Sequence, residues 1–158
     1  MKGEGLMKII YIENKFKNDE RIYLFKDGSF GPMKALGYFQ LSLDDSSSCL
    51  LNVDRITGSI LSVEGYFPFE EVNSIKRFNF NPSYFINGEI KLIGAREELN
   101  DEGCFMPLKD QSRYYDEEKN IYAIGFIEGC ECIKFGENLY AFFKQKSFCG
   151  IAIKLIRE

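Results

Sequence analysis

The chain has no histidine and no tryptophan in its 158 residues. Histidine is the side chain that titrates near neutrality, and it is the commonest general base and metal ligand. Its absence excludes Ser-His-Asp and Cys-His catalytic sets within one chain, and most zinc sites with them. The missing tryptophan removes the platforms that carbohydrate sites favour. No apolar run approaches the ~20 residues of a membrane span. The opening MKGEGLMKIIYIENKF holds too short an apolar stretch for a signal peptide. Met7 reads as an alternative start, which leaves residues 1–6 loose. Neither GxGxxG nor GxxxxGK[ST] occurs, so the usual phosphate cradle of nucleotide sites is absent.

The cysteines are Cys49, Cys104, Cys130, Cys132 and Cys149. An odd count without an export signal predicts reduced thiols and a cytoplasmic location. Net charge is −4, which disfavours nucleic acid, because phosphate binding needs clustered Lys and Arg.

What is present is aromatic and apolar. The chain holds 15 Phe and 9 Tyr, and 45% of its residues are hydrophobic. Phe and Tyr suit half-buried pleated surfaces, so the composition leans to sheet. The length fits one domain, residues 1–158, able to bury roughly 68–70% of the unfolded surface without a disulfide or metal.

The pattern predicts strands near residues 8–12, 21–25, 36–43, 49–53, 59–66, 77–80, 89–93, 121–126, 130–135, 139–143 and 148–156. Short polar connections separate many of them. Lys26-Asp27-Gly28-Ser29, Asn87-Gly88 and Lys144-Gln145-Lys146-Ser147 carry turn chemistry, and short connections imply antiparallel neighbours. Helix is expected only at residues 69–75, opened by Pro68 and two acids, and at residues 96–100. The fold class is therefore mostly β: antiparallel sheets in a sandwich or partly closed barrel, with one or two short helices. A β-rich α+β sheet is the alternative.

Chemistry-bearing patterns are few. Cys130-Glu131-Cys132 places two thiols on one side of a strand, yet a structural zinc site needs four ligands. These thiols are expected in the core or at an edge, and no metal or cofactor is expected. Acids occur as doublets, such as Asp44-Asp45, Glu70-Glu71 and Glu117-Glu118, which read as solvated loop residues. Residues 94–120 form the least patterned stretch and read as a long acidic surface connection.

Residues 51–69, LNVDRITGSILSVEGYFPF, combine a hairpin turn at Asp54 and Thr57-Gly58 with a Gly-Tyr-x-Pro exit. This element resembles one found in immunity proteins of bacterial polymorphic and contact-dependent toxin systems. Residues 131–156, ECIKFGENLYAFFKQKSFCGIAIKLI, resemble the closing strands of those proteins. The resemblance covers about a third of the chain and implies a non-catalytic protein that neutralises a cognate toxin domain by stoichiometric binding. For a basic toxin, Glu97, Glu98, Asp101, Glu102, Asp116, Glu117 and Glu118 would supply charge, and Tyr114 and Tyr115 would anchor. Two other readings are a small enzyme with a carboxylate site in a β-barrel pocket and a homo-oligomeric assembly module.

Overall fold

The computed structural model describes residues 8–13, 22–24, 29–30, 38–44, 49–54, 57–66, 76–77, 85–94 and 104–157. Within them the chain is built of strands: β1 Lys8–Glu13, β2 Ile22–Leu24, β3 Ser29–Phe30, β4 Tyr38–Ser42, β5 Cys49–Asp54, β6 Ile60–Tyr66, β7 Lys76–Arg77, β8 Ile86–Ile93, β9 Cys104–Phe105, β10 Arg113–Asp116, β11 Ile121–Gly125, β12 Glu131–Gly136, β13 Leu139–Lys144, β14 Ser147–Lys154 and β15 Ile156–Arg157. No helix occurs among the described residues. The two expected helical stretches, residues 69–75 and 96–100, and the expected loose residues 1–6 lie outside them.

One sheet runs β1-β8-β12-β13-β14-β11-β10-β7 and the other β15-β2-β3-β6-β5-β4-β9. Both are open, so neither closes into a barrel. Most pairings are antiparallel, as the short connections require. Four are parallel: β7 with β10, β8 with β12, β2 with β15, and β4 with β9. Each joins strands far apart in sequence, so turn chemistry carries no sign of it.

Period-two alternation builds the core. In the larger sheet Ile133, Ala141, Ile151 and Ile124 lie in one cross-strand row, with Arg113 at its end. The next inward row holds Leu139, Ile153, Tyr122 and Tyr115. These residues join Leu41, Leu51, Val53 and Val63 of the second sheet, and Leu43 just after β4, in a single cluster. Burying a side chain of this size contributes ~1.5–3 kcal/mol, so the cluster holds the two sheets together.

The outward face of the larger sheet is also covered at its centre. Ile121, Ala123, Cys132, Phe142 and Ala152 form a second buried cluster there. That explains why every residue of β11 is buried.

Two local expectations are corrected. Asn87-Gly88 is not a turn but part of β8. A Cβ on Gly88 would stand 2.8 Å from the Ile12 carbonyl oxygen and 3.0 Å from Ile133 Cγ2. The glycine therefore answers a close approach of neighbours, not a reversal of the chain. Residues 94–120 are not one loop: they include β9 and β10. The β13–β14 connection is a two-residue hairpin, as its sequence indicates. Lys144 pairs Ser147, and Gln145 and Lys146 take φ of 51° and 67°. Both positive angles match the primed turn that a twisted hairpin prefers.

Candidate functional site

The surface proposed from the sequence does not assemble as one face. Glu97, Glu98, Asp101 and Glu102 lie outside the described residues. Tyr114 and Tyr115 are adjacent on β10, so their side chains point to opposite faces. Tyr115 turns inward, is 3% exposed, and donates its hydroxyl to Asn120 Oδ1 at 2.8 Å. It is therefore no solvent-facing anchor. Tyr114 faces outward, half-buried against the second cluster. Asp116 is buried: its Oδ1 accepts the Lys119 amide at 3.1 Å, which shapes the hairpin turn into β11. Its other oxygen stands 3.7 Å from Lys119 Nζ. Glu117 and Glu118, in the same turn, are exposed.

The structure builds a different polar centre, between the sheets. Asp44 follows β4 and is 1% exposed, against the expectation that the Asp44-Asp45 doublet is solvated. Its Oδ1 accepts the Cys49 amide at 3.2 Å, and its Oδ2 pairs with Arg113 at 2.9 Å. Arg113 reaches it because it ends an inward row of the opposite sheet. The intervening chain is guided by β4. Met106 N donates to Ser42 O at 2.9 Å, and Leu108 N donates to Leu43 O at 2.9 Å. Ser112 N then bonds Asp110 Oδ1, and Gly125 N bonds Ser112 O.

Two further titratable groups line this pair. Burial pushes the Cys49 thiol far above its usual value, and the Asp44 charge adds to the rise while Arg113 opposes it. Burial likewise raises Tyr122 well above the usual phenol value, with Cys49 and the Asp44 charge adding and Arg113 opposing. Both shifts favour the protonated thiol and phenol. The centre is an ion pair fixed between two sheets, with neutral thiol and hydroxyl beside it. It ties the segment after β4 to β10 of the other sheet. Nothing local in the sequence marks it, because its partners stand far apart in the chain and the acid looks like a loop residue.

A second group of polar side chains lies on the outer face. Cys132 is buried on β12, and burial pushes its thiol up to about 12. Cys130, just before β12, and Cys149 on β14 are half-buried against the same cluster. Among the described residues no group of three or more Cys, Asp or Glu stands together as a metal site would require. Nearby, Lys134 Nζ lies 5.5 Å from the Phe85 ring centroid and 5.9 Å from that of Tyr140. The Phe85 and Tyr140 centroids are themselves 6.2 Å apart, edge to face. Phe85 is 42% exposed, so this lysine-capped aromatic pair faces water.

No helix among the described residues is long and apolar enough to cross a membrane. No family model matches the chain. A stretch of 94 residues is 29% identical to a probable helicase of Methanocaldococcus jannaschii. It spans 60% of this chain and 17% of that protein, so the chain matches only a small part of its relative.

Proposed function

We propose that this chain is a non-catalytic β module that binds protein, and that it serves as the accessory part of a helicase-class machine. One observation carries the reading: the similarity to a probable helicase occupies 17% of that protein. This chain has no GxxxxGK[ST] cradle for nucleotide phosphates, so a motor would have to be supplied by another segment or another chain. The chemistry of the polar centre supports the same view, since Cys49 and Tyr122 are held neutral and Asp44 is engaged by Arg113. In this reading the two sheets form a sandwich, the module works in the cytoplasm, and its partner is a motor domain. No cofactor and no metal takes part.

Neutralisation of a cognate toxin domain makes the same physical demand, a protein-binding surface without catalysis. It rests on the resemblance of residues 51–69 and 131–156, and the helicase similarity favours the accessory role instead.

Calorimetric titration with ATP tests the non-catalytic half. The isolated chain is expected to give no saturable heat and no ATP hydrolysis, while a helicase-class motor domain does both. Saturable ATP binding by this chain would overturn the reading.

A further inference from the structure

The loop between β11 and β12 folds back against β14. Phe126 N donates to Cys149 O at 3.1 Å, and the Cys130 Sγ donates to Phe126 O at 3.5 Å. The peptide of Phe126 thus ties Cys130 and Cys149 to one point. The Cys149 thiol donates to Ser147 O at 3.3 Å, and Cys130 and Cys149 pack against the same buried cluster of the outer face. Cys149 falls where the β13–β14 register shifts: Phe142 pairs Gly150 and Phe143 pairs Phe148, which leaves Cys149 without a cross-strand partner. An extra residue of this kind bends the strand and re-aims its side chain, and such bulges recur beside functional sites. Both sulfurs are half-buried, whereas the neighbouring Cys132 is sealed at 4% exposure.

We propose that Cys130 and Cys149 form a reversible intramolecular disulfide by exchange with a small-molecule disulfide. One thiolate attacks a sulfur of the small disulfide, forming a mixed disulfide and expelling one small thiol. The second cysteine then attacks the protein sulfur of that adduct and expels the other small thiol. The protein loses two hydrogens and two electrons, and the small disulfide is reduced to two thiols. The bond would pin the β11–β12 loop to the bulge of β14 and close the chain from residue 130 to residue 149. The inference is independent of which protein partner the module binds.

Burial, and then the neighbouring Cys149 thiol, push the Cys130 thiol up to about 11. Exchange is therefore expected to be slow at neutral pH and faster in mild alkali.

The test is incubation of the full, folded chain with oxidised glutathione, followed by intact mass measurement and non-reducing peptide mapping. The expected product is lighter by two hydrogen atoms, with one cross-linked species joining the peptides of Cys130 and Cys149. Dithiothreitol reverses it. Cys149→Ser keeps a glutathione adduct and loses the cross-link, and Cys132→Ser leaves the cross-link in place. If Cys149→Ser does not fold, Cys130→Ser serves the same purpose. Stable glutathione adducts on both cysteines without a cross-link, or a cross-link that uses Cys132, would overturn the proposal. So would full retention of all thiols in mild alkali.

Discussion

At the scale of the residue, the Asp44–Arg113 pair governs the account. The Asp44 side chain is 2% exposed and that of Arg113 is 22% exposed, so removing the arginine strands a carboxylate in the core. Arg113→Met is expected to cost about 3 kcal/mol, read as a lower urea midpoint. A loss below ~1 kcal/mol would place the pair among ordinary surface contacts. The buried thiol and phenol add a pH dependence. Folding raises Cys49 above its usual 9.0 and Tyr122 above its usual 10.0. The stability this represents is complete below pH 9 and drains as pH rises through the unfolded values. Each group then loses ~1.4 kcal/mol per pH unit. Melting temperature should therefore hold from pH 7 to about 8.5 and fall steeply above it. Cys49→Ala and Tyr122→Phe should each flatten that fall. A profile equally steep in both variants would contradict the assignment. The sequence concealed these residues because burial is decided by what comes to rest on them. Asp44 sits in a run of Asp and Ser that reads as a solvated loop, and its partner arrives from the other sheet.

At the scale of the element, one turn and one close approach carry predictions. The β13–β14 hairpin holds Lys146 at φ of 67°, a conformation costly for a side chain with a Cβ. Lys146→Gly is expected to stabilise the chain by about 1 kcal/mol, measured by urea unfolding. No change or a loss would mean that the turn relaxes by other means. Gly125 pairs with Gly150 across β11 and β14, and its φ is 116°. An added Cβ would collide with the Cys149 carbonyl and stand 2.6 Å from Gly150 Cα, both backbone atoms that cannot rotate away. Gly125→Ala is expected to cost at least about 2 kcal/mol. An alanine variant that unfolds at the wild-type midpoint would refute this geometry. Strands were legible where alternation and turn residues agree. The expected strand at residues 139–143 corresponds to Leu139–Lys144, and that at residues 49–53 to Cys49–Asp54. β10 was missed because Arg-Tyr-Tyr-Asp mixes charge with aromatic groups and lies among acids. Its meaning emerges only from pairing: Tyr115 opposes Tyr122 and turns inward, while Tyr114 opposes Ala123 and turns outward. The parallel pairs were illegible for the same reason, since they depend on where distant segments settle.

At the scale of the whole molecule, two open sheets share one core, and a net charge of −4 covers the chain. That balance disfavours nucleic acid as a partner, an expectation that a binding assay tests. The isolated chain is expected to leave the fluorescence anisotropy of a labelled DNA duplex unchanged at ~0.15 M salt, a condition in which bulk electrostatics are partly screened. Saturable DNA binding would assign the module a direct part in handling the strand. The central claim concerns protein partnership, and calorimetric titration of this chain with the separately expressed motor domain of a helicase-class protein from the same source tests it most directly. The account predicts saturable binding with one module per motor subunit. Absence of binding to that motor, with tight one-to-one binding to a toxin domain encoded beside this chain, would contradict the accessory role and restore the neutralising one.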